Sequence, residues 1–216
     1  MTDHKGIFIT FEGPEGGGKT TQLCAVADFL RQQDYPVVVT REPGGTYIGD
    51  QIRTVLMEHT NTSMEPRTEL LLFQASRAQL VAELILPEMR RGRIILGDRY
   101  ADSTIAYQGF GYQLFSLDVL KPIIEFATGG LKPDLTLLLD VDVESGLRRK
   151  VHEGEWNRLD AKELSFHQRV RQGYLDLALT DPERWVIIDA NLPSEQVQFH
   201  VRQAVLARIE INYQKK

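Results

Sequence analysis

Five stretches of the chain, residues 6–11, 36–40, 93–97, 135–141 and 185–189, are nearly unbroken runs of apolar and β-branched side chains. A strand wet on one face alternates apolar and polar positions, so unbroken runs predict strands covered on both faces and hence a buried parallel sheet. Between them apolar positions recur at spacings of three and four, predicting helices over 19–33, 46–58, 65–91, 117–128, 143–150, 164–179 and 194–211. Alternating strands and helices require right-handed crossovers, which gives an α/β, doubly wound sheet with helices on both faces. No repeat, low-complexity tract or linker interrupts the pattern, so residues 1–216 read as one domain. The polar stretch 152–160 reads as a loop able to move.

Charge and composition narrow the classes. Lys and Arg number 25 against 30 Asp and Glu, a net charge of −5, the wrong sign for a nucleic-acid binder. Hydrophobic residues at 42% and charged residues at 25% exclude a disordered or fibrous chain. A single cysteine forms no internal disulfide and fits a reducing compartment. Cys24 itself reads as a small buried apolar residue. No apolar run approaches the ~18 residues of a membrane-spanning helix, so a cytoplasmic protein without a membrane partner is expected. The five histidines, among them His167 on a polar helical face, lack metal-ligand spacing and read as structural or surface groups.

Candidate chemistry begins after the first run. Gly13-Pro14-Glu15-Gly16-Gly17-Gly18-Lys19-Thr20 fits G-x-x-x-x-G-K-[ST] and lies between a strand pattern and a helix pattern, the context this motif requires. Its glycines let backbone N–H groups curl around phosphate oxygens, and the following helix presents its positive end. Lys19 then bridges terminal phosphates and the Thr20 hydroxyl ligates Mg²⁺. At the end of the third run stand Asp98 and Arg99, on the sheet edge where ligands of open α/β sheets bind. A carboxylate there holds the water shell of Mg²⁺. The adjacent guanidinium is a bidentate phosphate clamp, so the pair points to two phosphate-bearing substrates. Phe73 and Arg77 lie four apart on one helical face. From the residues alone they suit a core ring and a solvated cation; they equally suit a pyrimidine base, with Phe73 stacking and Arg77 reaching an exocyclic carbonyl.

Thr40-Arg41-Glu42-Pro43-Gly44-Gly45-Thr46, Asp98-Arg99-Tyr100 with Ser103, Ala106-Tyr107-Gln108-Gly109 and Lys132-Pro133-Asp134-Leu135-Thr136 resemble the sequence marks of thymidylate kinases, in the family's order. The resemblance runs from about Phe8 to about Pro193. It implies a P-loop NTPase fold, transfer of the γ-phosphoryl group of ATP with Mg²⁺ to dTMP for dTTP biosynthesis, and a homodimer. It also decides for the base-binding reading of Phe73 and Arg77. By the same resemblance Gln108 reads the base edge, Tyr107 packs where a ribose 2′-hydroxyl would intrude, and Ser103 lines the pocket. Arg53 and Arg99 hold the acceptor phosphate, Glu42 lies near it, and Glu15 accepts from the 3′-hydroxyl. The ATP set runs from Gly13 to Thr21 and adds Arg148 against the adenine. The alternatives are another P-loop kinase of nucleosides or nucleoside monophosphates, and a nucleotide-dependent switch ATPase.

Position 16 is glycine, so the phosphate loop carries no arginine. Family members of that type are implied to supply one from a mobile lid, here about residues 149–160. Arg158 matches the family's arginine before an apolar residue and an acid. Where relatives carry further arginines this chain has His152, Glu153 and Glu155, which leaves Arg149 as the second candidate for the catalytic cation. Tyr112 likewise stands where many relatives have arginine.

Overall fold

The computed structural model describes residues 6–153 and 158–214. Strands β1 (Ile7–Glu12), β2 (Val37–Arg41), β3 (Ile94–Asp98), β4 (Leu135–Asp140) and β5 (Trp185–Asp189) form one sheet in the order β2-β3-β1-β4-β5. Every neighbouring pair is parallel. The unbroken apolar character of β1 has a direct cause. Ile7, Ile9 and Phe11 enter a core with α1 (Lys19–Gln32) and α9 (Ser194–Gln214). Phe8 points the other way, into a core with Leu80, Val81, Ile85 and Met89. The strands run on to polar residues that the apolar pattern does not mark, because the ladder continues through Phe11↔Asp98 and Arg41↔Asp98. Glu12, Arg41 and Asp98 thereby come to the carboxyl edge.

Helix α2 (Tyr47–Met57) is capped by the Thr46 hydroxyl, which accepts from the Gly49 N–H at 3.1 Å. Next come α3 (Pro66–Leu80), a π-helical turn Val81–Ile85 and α4 (Leu86–Arg90). The π turn precedes Pro87, whose missing N–H breaks the regular ladder. Together Pro66–Arg90 is long and apolar enough, by length and composition, to cross a membrane, a property the search for unbroken apolar runs passes over. Here the helix carries the buried polar residues Glu69, Gln74 and Arg77.

A helix absent from the sequence expectation follows β3: α5 (Ala101–Thr104) continuing as π-helical Ile105–Gly111. Gly109 and Gly111 hide it, because glycine is a poor helix former. Close packing against α8 (Leu164–Thr180) explains the glycines nearby, since a Cβ on Gly173 would stand 2.7 Å from the Phe110 ring. After α6 (Leu117–Thr128), helix α7 runs Val143–Glu153, further than the expected 143–150. Lys150 and His152 lie in its last turn, where cationic groups suit the helix dipole. The expected loop 152–160 therefore starts later, and its residues Gly154, Glu155, Trp156 and Asn157 lie outside the described residues, as does His4. Leu159 and Asp160 are buried.

Candidate functional site

Gly13, Gly16 and Gly18 take φ of 138°, 67° and 76°, left-handed values that only glycine adopts without strain. They curl the loop between β1 and α1. Gly16 also has no room for a side chain: a Cβ there would meet the Gly146 carbonyl oxygen at 2.0 Å, and one on Gly146 would meet that of Glu15 at 2.2 Å. This glycine pair seats α7 on the loop and accounts for the missing loop arginine. Lys19 is buried, and its ammonium donates to the carbonyls of Gly13 at 3.1 Å and Pro14 at 2.7 Å. Burial lowers its pKa to about 8, helped by the Arg99 cation and opposed by Glu15, Asp98 and Glu12.

Thr20 Oγ1 donates to Asp98 Oδ2 at 2.5 Å, on the open side of the loop. Among the described residues no three His, Cys, Asp or Glu side chains gather as a metal cage. Two hard oxygens at one edge fit a hydrated Mg²⁺ that arrives with a nucleotide, since Mg²⁺ keeps most of its ligands as water and phosphate.

Beside them Arg99 has φ 70°, unusual for a residue with a side chain. Its Nη1 donates to the Gly13 carbonyl at 3.1 Å, Tyr174 Oη at 3.0 Å and Ser103 Oγ at 3.3 Å. Its Nη2 donates to Glu15 at 2.7 Å and Tyr107 Oη at 3.0 Å. Tyr107 donates in turn to Glu15 at 2.8 Å. Burial pushes the Glu15 carboxyl up, but Arg99 and Lys19 outweigh it and hold the group at about 2. At the base of this network Glu12 is raised to about 7 by burial and by Asp102, against the pull of Arg99. Arg53 lies on the other wall, donating to the Pro43 carbonyl at 3.0 Å, with its pKa lowered by burial and then by Arg41. A cation depressed in this way is relieved by an anion.

The far end of the same cavity, about 990 Å³ in all, is lined by Phe73, Arg77, Thr104, Tyr107 and Gln108. Arg77 is buried, and each of its three nitrogens has a partner. Nε reaches Glu42 at 2.8 Å, Nη1 reaches Gln74 and Thr104 at 2.8 Å, and Nη2 reaches the Tyr100 carbonyl at 2.9 Å and Glu42 at 2.6 Å. Burial raises the Glu42 carboxyl against the pull of Arg77. Gln108 Nε2 donates to the buried Glu69 at 2.9 Å.

Two arginines stand differently from the expectation. Arg158 is 2.5 Å from Glu69 and donates to the Leu56 carbonyl at 3.4 Å, beside the base end of the cavity. Arg149, one turn after Gly146, donates to the carbonyls of Gly16 at 3.4 Å and Ala190 at 3.0 Å, so it is the one at the phosphate loop. Arg148 is exposed against Ser145. Cys24 is a correction: it is exposed and lines the cavity, because this face of α1 looks past the sheet edge. His167, read as structural or surface, is buried edge-on to Phe166 at 5.4 Å, the structural case, and not on the exposed polar face that the pattern gave it. Sequence reasoning passed over Glu12, Glu69, Thr104, Gly146, Lys150 and Tyr174. Thr104 carries a usable signal, one residue after Ser103 on the same short helix. Glu12 directly precedes the phosphate loop and Lys150 directly follows Arg149, yet neither is marked by a motif, and Glu69, Gly146 and Tyr174 come from distant segments.

The thymidylate kinase family model matches residues 11–201. The chain is 48% identical to the thymidylate kinase of Herpetosiphon aurantiacus, over 88% of this chain and 91% of that protein. It is 48% identical to that of Deinococcus radiodurans, over 94% and 98%. The crystal structure of thymidylate kinase from Ehrlichia chaffeensis superposes with a TM-score of 0.74 at 33% identity, covering 93% of this chain and 98% of that one.

Proposed function

The chain belongs to the thymidylate kinase family, and from that premise we propose that its cavity transfers the γ-phosphoryl group of ATP to dTMP, giving ADP and dTDP. The observation that carries this reading is one continuous cavity with a phosphate loop at one end, an aromatic and amide-lined pocket at the other, and arginines between them. Such a cavity accommodates a nucleoside triphosphate and a monophosphate end to end.

In this reading Lys19 leaves the Gly13 and Pro14 carbonyls for the β- and γ-phosphates of ATP, over the backbone N–H groups of the Gly13–Thr21 segment. Thr20 and Asp98 would hold Mg²⁺, which when bound neutralises charge on the phosphate oxygens. Arg99 and Arg53 grip the acceptor phosphate, with Glu42 nearby. Glu15, already ionised and accepting from Tyr107, accepts from the 3′-hydroxyl. Phe73 stacks on the base, Tyr107 packs against the deoxyribose, and Ser103 and Gln108 line the base pocket. Because each Arg77 nitrogen already has a partner, its contact with an exocyclic carbonyl is shared with one of them. Arg148 lies toward the adenine. A rate comparison across dTMP, dUMP, dCMP, AMP, GMP and thymidine tests the reading. dTMP should lead, and dUMP should trail by about 1–3 kcal/mol for the missing methyl; a preferred acceptor other than dTMP refutes it.

For the cation on the moving phosphoryl group the geometry favours Arg149, held at the loop, over Arg158, held at Glu69. Arg149→Ala should then slow single-turnover transfer by at least about 10²-fold, while Arg158→Ala should weaken dTMP binding with a smaller effect on the transfer step. The reverse pattern restores Arg158 to the catalytic role.

Lys19 gives a pH signature. Its pKa is depressed to about 8, so the free enzyme loses this charge as pH rises through that value. The phosphates of bound ATP favour the charged form and move the loss upward. The profile of kcat/KM for ATP should fall above about pH 8, and that of kcat only at higher pH, since the two report the free and the bound enzyme. A kcat/KM that holds level well above that pH contradicts the assignment.

A homodimer is supported by Ile48 and Val55 of α2, Leu71 of α3, and Val119 and Phe126 of α6, all exposed apolar residues on helices that pack side by side. Sedimentation of the parent beside Phe126→Asp tests it, the variant being expected to sediment as a monomer. The single cysteine supports a cytoplasmic location, which fractionation checks.

A further inference from the structure

Glu12, the last residue of β1, has no part in the roles above and is fully buried. Its Oε1 accepts the backbone N–H of Tyr100 at 2.7 Å. Its Oε2 accepts the hydroxyls of Ser103 at 2.7 Å and Tyr174 at 3.0 Å. Those same two hydroxyl oxygens accept from Nη1 of Arg99. An ionised carboxylate offers only lone pairs, and each hydroxyl has a single hydrogen. The two hydroxyl oxygens also lie 2.8 Å apart, so each hydrogen goes to Glu12 or to the other hydroxyl, and in either case both hydroxyls turn their hydrogens away from Arg99 and lone pairs toward it. The Tyr100 N–H bond acts on the backbone at the same place. It pins the peptide that follows Arg99, whose φ of 70° is sparsely populated and persists only where surroundings enforce it.

We propose that Glu12 is the positioning residue for acceptor-phosphate recognition: through the Ser103 and Tyr174 hydroxyls and the Tyr100 amide, it aims the Arg99 guanidinium at the monophosphate. This rests on reading Arg99 as an arginine that grips that phosphate. Glutamine at position 12 keeps the shape but not the polarity. Its NH₂ must face either the Tyr100 N–H, donor against donor, or the two hydroxyls. In the second case it reverses them, and their hydrogens then oppose the Arg99 cation.

The test separates the phosphate from the nucleoside. Equilibrium dissociation constants for dTMP and thymidine are measured on the full chain at pH 8.5, above the value of about 7 to which burial raises Glu12. Thymidine shares base and sugar with dTMP and lacks the phosphate, so the thymidine constant divided by the dTMP constant reports the grip on phosphate alone. Glu12→Gln should lower this ratio by roughly tenfold or more, the scale of one hydrogen bond to a charged group, with thymidine affinity unchanged and KM for dTMP affected more than kcat. Tyr174→Phe, which keeps Glu12 and removes one hydroxyl, should lower the ratio several-fold and carries the test if Glu12→Gln does not fold. Arg99→Ala is measured alongside. If it leaves the ratio unaltered, the reading of Arg99 fails and the proposal with it. If Arg99→Ala collapses the ratio while Glu12→Gln, or Tyr174→Phe in its place, keeps the parent ratio, the positioning role alone is overturned. Equal weakening of dTMP and thymidine by Glu12→Gln also overturns it, marking Glu12 as a prop of the fold.

Discussion

Replacing Lys19 with alanine is expected to lower kcat by on the order of 10³-fold while dTMP affinity stays near that of the parent. Phosphoryl transfer asks little covalent work of a protein, so fixed positive charge on the moving group carries the rate. Lys19 is placed for this. Its ammonium is buried, held by two loop carbonyls at 3.1 and 2.7 Å, and its charge is disfavoured by burial and by Arg99. Phosphate oxygens therefore gain a donor that the empty loop holds under strain of charge, and the gain is largest as charge shifts in the transition state. Alanine removes the cation and leaves the glycine-built loop intact, so binding of the acceptor at the far end is spared. Single-turnover transfer is the measurement, and a variant within tenfold of the parent would contradict the role.

The largest effect on stability is expected at Arg77. Arg77→Ala strands Glu42, 2.6 Å away and also buried, and takes the donor from Gln74 Oε1, while Thr104 and the Tyr100 carbonyl lose one donor and keep Gln74 Nε2 and the Ser103 N–H. Breaking a buried ion pair by removing one partner costs about 3–5 kcal/mol, a fall of roughly 10 °C or more in the melting temperature of a chain this size. The stranded carboxyl, already raised by burial, takes up a proton, so the loss is smaller in acid than at neutral pH. Glu42→Gln/Arg77→Ala should recover part of the loss, since no buried charge then lacks a partner. Thermal unfolding of the two variants decides it; Arg77→Ala melting within about 2 °C of the parent would show that the pair carries little.

What the sequence disclosed is what short range controls. The phosphate loop is eight consecutive residues whose glycines and lysine act together. The five strands were visible because residues buried on both faces leave unbroken apolar runs. Asp98 was legible at the edge because it directly follows such a run, whereas Glu12 joins the sheet only through its ladder partner Leu138 and was passed over. The site's second layer is non-local: Tyr174 reaches Glu12 across 162 positions of sequence, and Gln108 meets Glu69 across 39. Cys24 and His167 were misplaced for a related reason. Helical period tells which residues share a face, while burial depends on what lies opposite, the open cavity for Cys24 and the backbone of Asp160 and Lys162 for His167. The expected lid arginine illustrates the limit best. Family pattern put Arg158 ahead of Arg149, while the contact of Gly146 with the loop, which no sequence pattern marks, sets Arg149 beside Gly16.

Kinase activity is tested most directly by the products formed from ATP and Mg²⁺ with dTMP present or omitted. With dTMP, ADP and dTDP should accumulate in equal amounts; without it, ADP should form orders of magnitude more slowly, because water lacks the arginine-held phosphate that positions the acceptor. ADP release at the same rate in both mixtures, with no dTDP, would contradict the kinase reading and leave a nucleotide hydrolase in its place.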